Sequence, residues 1–449
     1  MSSPTLRQRS SSKKVEKNSE SKHKTNLENI YAKPVHTVEE SLLTSTSGFE
    51  NYRGIVNLCL VLLILSNFRV ALDNLLKYGL LIDPLQVATI FLEDPYRWPS
   101  TSLVIFSNVF IQFSFWVEKL LAKGKISETL GKYLHIFNLL CTLVVPCTVV
   151  LTYQPPPWAA YFAVSWYTVV WLKLISYISV NMWNRLGLVN SPSKSDADGK
   201  NDVSKKSRIN LVKYPDNLNQ KDLYYFMVAP TLCYELNFPR NDRIRKRFLM
   251  RRIAEFFFLL GIIVGLVQQW IVPTVNNSLK TLQEMNFGRI SERLMKLAVS
   301  MNYLKLMRQF LHLFTVLVRV SETGYSHLSP NSPTVAYFWQ NWNIPVHRWA
   351  RRHLYLPMLK SGYSSIQAQI AVFLLSAFFH EFLVSVPLRL FRFWAFLAML
   401  SQVPLHLVVK YFLEGYPNYS NIVVWLSIIV GQPLAILCYF HDYYVSSVQ

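Results

Sequence analysis

Cysteine is scarce in this sequence, and the few cysteines form no pattern. Five occur among 449 residues, at Cys59, Cys141, Cys147, Cys233 and Cys438. They include no closely spaced metal-binding pair and no disulfide framework. We expect them to act as small hydrophobic side chains, and the sequence indicates no bound metal and no cofactor.

Acidic residues are also few. The chain has 26 Asp and Glu against 46 Lys and Arg, which gives a formal net charge of +20. In a soluble protein this excess would indicate nucleic-acid binding. Here the basic residues cluster beside hydrophobic segments, where anionic head groups and the positive-inside rule account for them. We therefore exclude nucleic acid as a partner and expect the bilayer instead.

The N-terminal region lacks an apolar core. Residues 1–46 are polar and mixed in charge, a composition that cannot bury enough surface to fold alone. Because no apolar core precedes Tyr52, we expect no cleavable signal peptide, and the first span would serve as a signal anchor. We predict a disordered cytosolic tail at residues 1–46 and one membrane domain at residues 47–449.

Long hydrophobic runs, by contrast, are abundant. Hydrophobic residues make up 51% of the chain, and several runs are long enough to cross a hydrocarbon layer of about 30 Å. We predict an all-α, polytopic membrane protein. Eight spans are indicated, at Gly54–Leu76, Ser102–Leu121, Tyr133–Tyr153, Trp158–Val180, Ile253–Val272, Ile366–Leu388, Phe393–Phe412 and Ile422–His441.

The sidedness of the chain requires a ninth span. Seven basic residues within Arg240–Arg252 indicate that the fifth span begins in the cytosol. For the basic cluster Arg348–Arg352 to be cytosolic as well, the chain must cross once more, and the candidate is Tyr303–Val320. That candidate is poor, since a central Lys or Arg costs about 2.5 to 3.5 kcal/mol. Its interruptions are Lys305, Arg308, His312 and Arg319.

Two polar cytosolic loops are predicted inside the membrane domain. The first covers residues 182–222, and the second covers residues 321–365 and carries an aromatic and basic stretch. Within that stretch Asn343 precedes Pro345, which predicts an N-cap and a short helix. Its three arginines either lie among head groups or bind phosphates. They are Arg348, Arg351 and Arg352.

His380 and Glu381 stand alone in a hydrophobic run. No other ionisable side chain occurs from Gln367 to Pro387, and such residues are functional-site candidates. On a helix Ser376 shares the face of His380, because they are four residues apart, whereas Glu381 is rotated by about 100°. A neutral imidazole suits a general base that deprotonates an alcohol. A histidine that only packs helices is an equal alternative.

Two glutamines recur in the last spans, each close to a proline. Gln402 lies near Pro404, and Gln432 precedes Pro433. Proline frees backbone carbonyls that an amide can satisfy. The two side chains therefore either join helices or line a polar tunnel.

Three motifs resemble those of the membrane-bound O-acyltransferase family, in particular its diacylglycerol-acylating members. They are Tyr337–Trp349, Ser376–Pro387 and Gly431–Pro433, and the similarity extends from near Ser47 to Tyr444. The resemblance implies a nine-span fold in the endoplasmic reticulum, around an intramembrane tunnel that takes acyl-CoA from the cytosol. A lateral gate would admit diacylglycerol, and the protein would be a homodimer or higher oligomer.

The resemblance also implies roles for single residues. His380 falls on the catalytic histidine, which would deprotonate the diacylglycerol hydroxyl for attack on the acyl-CoA thioester. Glu381 would orient the site. The positions that would line the acyl-CoA site are Asn343, Ser376, Met399, Gln402 and Gln432. Acylation of a sterol or a wax alcohol is the alternative within the same class.

One segment departs from the family pattern. Such enzymes carry a Phe-Tyr-x-Asp-Trp-Trp-Asn motif, and here only its final residue, Asn331, matches. Residues 300–330 share no similarity with the family and include the poor ninth span. This departure favours another alternative, a catalytically impaired variant that acts as an assembly partner or a lipid-binding protein.

Overall fold

A computed structural model describes residues 72–83, 99–188, 212–238, 246–273, 335–413 and 415–448, with a few isolated positions between residues 58 and 288. Two compact units are distinguished, Met1–Lys77 and Tyr78–Gln449, and the description below concerns the second. The tail 1–46, nearly all of the first span, the candidate span Tyr303–Val320 and the divergent segment 300–330 lie outside the described residues.

The described part of the chain is helical and contains no strand. Within the described residues from Pro99 onward, twelve α-helices follow one another. They are α1 (Pro99–Ala122), α2 (Glu128–Tyr153), α3 (Pro157–Arg185), α4 (Gln220–Val228), α5 (Lys246–Leu266), α6 (Val335–Trp342), α7 (Ile344–Ala350), α8 (Leu356–Lys360), α9 (Ser365–Leu388), α10 (Trp394–Leu400), α11 (Gln402–Phe412) and α12 (Pro417–Val448). A π-helical turn, Val267–Ile271, extends α5, and another, Arg351–Tyr355, joins α7 to α8.

Six helical segments of the described residues are long and apolar enough to cross a bilayer. They are α1, α2, α3, α9, the pair α10 and α11 taken together, and most of α12. Each coincides with a predicted span, so six of the predicted spans are confirmed as long apolar helices. The predicted span Ile253–Val272 is also helical, although α5 begins earlier, at Lys246, among the basic residues.

The first three spans form a compact bundle. Ser127 caps the start of α2, and Gln154 ends it in the left-handed region, with φ of 48°. Pro157 then occupies the first turn of α3, where a missing N–H costs nothing. Residues Gln154, Pro155 and Pro156 therefore form a tight turn between α2 and α3. Inside the bundle the Tyr167 hydroxyl donates to the carbonyl of Leu103 at 2.8 Å.

Charged side chains close one end of this bundle. Glu118 of α1 is fully buried and receives Nη1 of Arg185 at 2.6 Å, and its other oxygen lies 3.1 Å from Nε2 of His135. Arg185 also pairs with Glu128 at the start of α2. Because each buried charge has an opposite partner, the three helices are joined without an isolated ion in an apolar region.

A buried lysine attaches α4 to the bundle. Lys173 of α3 is 4% exposed, and its Nζ donates to the carbonyls of Phe226, Met227 and Ala229 at 2.7 to 2.8 Å. The last carbonyls of a helix have no partner within the helix, and a cation there also complements the helix dipole. One side chain therefore satisfies the carboxyl end of α4 and holds it against a membrane span.

The two predicted loops are less irregular than expected. α3 continues to Arg185 and α4 begins at Gln220, so both ends of the predicted loop 182–222 are helical. In the predicted loop 321–365, residues 335–342 and 344–360 are helical. The short helix predicted after Asn343 is therefore confirmed. The aromatic residues of this second segment form helices because they pack against α3, α9, α11 and α12, contacts that local polarity does not predict.

Candidate functional site

The side chain of His380 is oriented by its own helix. Nδ1 lies 2.7 Å from the carbonyl oxygen of Ser376 and 3.4 Å from its hydroxyl. Because a carbonyl oxygen only accepts, Nδ1 must carry the proton, and in the neutral ring Nε2 then has the free lone pair. Ser376 and His380 therefore lie on the same face of α9, as their spacing predicts. The ring is exposed among the described residues.

Glu381 faces away from His380, as the helical spacing predicts. Its side chain is buried, and its carboxylate accepts the backbone N–H of Phe393 at 2.9 Å and that of Phe396 at 3.0 Å. It also accepts the hydroxyl of Tyr439 at 2.7 and 2.8 Å and the hydroxyl of Ser385. Four donor groups thus converge on one carboxylate.

These contacts form a cap at the start of α10. The residue before that helix, Phe393, has a positive φ of 60° and its own side chain provides no cap. Glu381 accepts the N–H of Phe393 itself and that of Phe396 in the first turn, and the Tyr439 hydroxyl accepts the N–H of Ala395 at 3.2 Å. A helix amino end needs such acceptors and favours negative charge. The Glu381 cap therefore joins α9, α10 and α12 at one point.

Three other predicted site residues lie on the helices that follow α9 in the chain. Met399 is buried near the end of α10, and Gln402, half-buried, is the first residue of α11. Both α10 and α11 pack against α9, the helix of His380. Gln432, also half-buried, lies on α12, which packs against α10. The predicted span Phe393–Phe412 contains a turn at Ser401, directly before Gln402, and the helical hydrogen bonds continue through it, since the N–H of Leu405 bonds to the carbonyl of Ser401 at 3.2 Å.

Asn343 lies in the break between α6 and α7 and caps α7. Its Oδ1 accepts the N–H of Val346 at 3.3 Å, so the predicted N-cap is confirmed, with the helix starting at Ile344. The side chain is exposed. Because the amide oxygen is bonded to the helix end, the Nδ2 group is the part of this side chain that can donate to a ligand.

The three arginines after Asn343 differ in their surroundings. Arg352 donates to the carbonyl of Tyr234 at 3.2 Å, and its guanidinium lies 5.7 Å from the ring of Trp183. Arg348 and Arg351 are exposed. The expectation that the three arginines meet head groups or phosphates stays a prediction, and Arg352 in addition binds the protein itself.

Sequence reasoning missed three side chains that hold these elements in place, namely Tyr439, Ser176 and His353. The Ser176 hydroxyl lies 2.8 Å from Nε2 of His353, and the two residues are 177 positions apart. Tyr439 is 58 positions from Glu381. No local pattern could pair residues at such separations. A polar side chain inside a predicted apolar span was the one available signal.

Among the described residues His380 is exposed on the apolar helix α9, and Gln402 begins a helix that packs against α9. A family model described as MBOAT, membrane-bound O-acyltransferase family, matches residues 148–441. The chain belongs to this family.

Named relatives agree with this membership. The chain is 51% identical over 418 residues to diacylglycerol O-acyltransferase 1 of Homo sapiens, and the matched region covers 91% of this chain and 84% of the relative. The enzyme of the same name from Chlorocebus aethiops gives the same identity and coverage. Diacylglycerol O-acyltransferase 1A of Glycine max is 34% identical over 421 residues, covering 91% of this chain and 82% of the relative.

Proposed function

We propose that this chain transfers the acyl group of acyl-CoA to the free hydroxyl of diacylglycerol and so forms triacylglycerol. The family membership supports acyl transfer, and the names of the relatives support the acceptor. The observation that carries the chemistry is the 2.7 Å bond from Nδ1 of His380 to the Ser376 carbonyl. This bond leaves Nε2 as a base inside an apolar span.

The reaction follows from that geometry. Nε2 of His380 takes the proton of the diacylglycerol hydroxyl while the oxygen attacks the thioester carbonyl carbon. The C–S bond then breaks, the ester carbonyl re-forms, and the CoA sulfur leaves as a thiol with the proton that His380 had taken. Atoms and charge balance without a metal, a cofactor or a covalent acyl-enzyme, and acyl-CoA is the second substrate.

The developing oxyanion needs hydrogen-bond donors, which amide side chains supply. Asn343 supports this role best, because its cap bond occupies the oxygen and leaves Nδ2 to donate. Gln402 and Gln432 are further candidates for the same task. With Ser376 and Met399 they would line the acyl-CoA site, and Glu381 would orient it through its cap of α10.

Asn343→Asp separates the two roles of this residue. Asp caps helices about as well as Asn, so α7 and the thermal stability of the protein should be unchanged. The variant replaces a donor by a carboxylate, and removal of one oxyanion donor typically lowers kcat by about 10²- to 10³-fold. Turnover and the unfolding midpoint of purified protein would be measured together. A fully active Asn343→Asp enzyme would exclude Asn343 as an oxyanion donor.

The proposed reaction is tested by expression in cells that lack triacylglycerol synthesis. We expect labelled fatty acid to enter triacylglycerol with this chain and not with an empty vector. Membranes from the same cells would then receive acyl-CoA with diacylglycerol, a sterol or a long-chain alcohol. Ester formed only with a sterol or an alcohol would assign a different acceptor. No ester with any acceptor would indicate the impaired variant that the divergent segment favours.

The setting of the protein is part of the proposal. Seven basic residues within Arg240–Arg252 support a cytosolic start for α5, and acyl-CoA would enter from that side. We assign the protein to the endoplasmic reticulum membrane with a cytosolic N-terminus and an assembly of two or more copies.

A further inference from the structure

The helix that begins after Asn343 is unbroken for several turns. It runs through α7, the π-helical turn Arg351–Tyr355 and α8, from Ile344 to Lys360. At 1.5 Å per residue, His353 lies about 15 Å along this helix from Asn343. Because such a helix is stiff, the points at which it is attached determine where Asn343 lies.

The first attachment joins this helix to the helix of His380. Nε1 of Trp349 donates to the carbonyl of Leu172 on α3 at 2.8 Å. Trp349 is buried in a cluster with Leu172 and Phe379, and Phe379 also meets the ring of Trp171 edge-on, with ring centres 5.0 Å apart. Phe379 directly precedes His380 in α9. This cluster therefore couples the helix that begins after Asn343 to α9 through α3.

The second attachment is polar and centres on His353. Its Nε2 lies 2.8 Å from the hydroxyl of Ser176 on α3, and that hydroxyl also accepts the N–H of Tyr234 at 2.8 Å. The imidazole stacks on Trp183 with ring centres 5.4 Å apart. Burial, together with the nearby charge of Arg352, lowers the pKa of His353 to about 4. The ring is therefore neutral at pH 7.

We propose that His353 is a positioning residue for acyl transfer: its bond to Ser176 holds the Asn343 helix in register with the His380 helix. The inference rests on the proposed function and adds a residue to its site. His353 touches no reacting atom. It acts by keeping Nδ2 of Asn343 where the thioester oxyanion forms, and a misplacement of about 1 Å at such a donor can cost about 10²-fold in rate.

Two substitutions test the contact itself. The amide of His353→Gln reaches the place of Nε2 and can still bond to Ser176, whereas the shorter His353→Asn cannot. We expect kcat for diacylglycerol acylation within about threefold of wild type for the first variant. For the second we expect kcat to be lower by about 10- to 100-fold, with the KM for acyl-CoA unchanged. Equal losses in both variants would overturn the proposal.

A double-mutant cycle with Asn343→Asp decides whether the effect passes through Asn343. If it does, His353→Asn should lower kcat by less than about twofold once Asn343 is already Asp, since the donor to be positioned is gone. A merely structural role would lower kcat by the same factor on both backgrounds, and that result would overturn the proposal. An Asn343→Asp variant with wild-type kcat would overturn it as well.

His135 offers a matched control. It too is buried, with Nε2 bonded 3.1 Å from Glu118, and like His353 its Nδ1 has no partner among the described residues. It lies in α2 and holds the closed end of the bundle. His135→Asn should change kcat by the same factor with Asn or Asp at position 343. If the wild-type protein forms no triacylglycerol, the proposed function fails. If the wild-type protein is active and positions 353 and 343 show no coupling in kcat, only the role of His353 fails.

Discussion

His380→Ala should remove triacylglycerol synthesis while leaving the protein folded. General base catalysis contributes about 10²- to 10⁴-fold, and we expect a loss of kcat in this range. The fold should tolerate the change because the ring is exposed and its bond at Nδ1 is made to the carbonyl of Ser376 on its own helix. The KM for acyl-CoA should change little, since Nε2 acts on the hydroxyl of the other substrate.

A second histidine inside a span supplies the control. His406 of α11 is half-buried, so His406→Ala makes the same chemical change in a similar setting, away from the Ser376 contact. Both variants would be purified in detergent and assayed for acyl transfer from labelled acyl-CoA to diacylglycerol, with the unfolding midpoint measured in parallel. Substantial activity in His380→Ala would exclude His380 as the base. Equal losses in both would attribute the effect to helix packing.

Glu381→Ala should have the opposite consequence, a loss of stability. The change leaves the N–H groups of Phe393 and Phe396 and the hydroxyls of Ser385 and Tyr439 without their common acceptor. Removing one partner of a buried charged network typically costs about 3 to 5 kcal/mol. We expect a lower unfolding midpoint and less monodisperse protein, with activity falling in proportion to the folded fraction.

Milder substitutions in the Glu381 cap should lower the stability by smaller amounts. Glu381→Gln keeps one acceptor oxygen and should lie between wild type and Glu381→Ala. Tyr439→Phe removes one hydroxyl, which donates to Glu381 and accepts from Ala395 at 3.2 Å, and should cost about 1 to 3 kcal/mol. A Glu381→Ala protein with the wild-type unfolding midpoint and no activity would instead make Glu381 a direct partner in the chemistry.

Adjacent residues of one helix thus face different surroundings, and helical spacing alone predicted this. His380 faces Ser376, four residues earlier, and Glu381 faces the start of α10. The cap at Asn343 was predictable for the same reason, since a cap involves residues three apart. Six spans followed from hydrophobic length, because a bilayer requires an unbroken apolar helix.

Other features depended on residues far apart in the chain. The helices within residues 335–360 are aromatic and basic, and packing against α3, α9, α11 and α12 accompanies their formation. The local pattern predicted only the short helix after Asn343, because it does not register a packing partner elsewhere in the sequence.

The sequence by itself therefore determined the membrane class, the helical spans, the division of faces at His380 and the cap at Asn343, since each depends on neighbours within a few residues or on total apolar length. The tertiary structure alone decided how those helices are joined. The carboxylate of Glu381 meets Tyr439, the ammonium of Lys173 meets the end of α4, and His353 meets Ser176. Each of these pairs satisfies a buried polar group with a distant partner, which only the folded chain brings within hydrogen-bond distance.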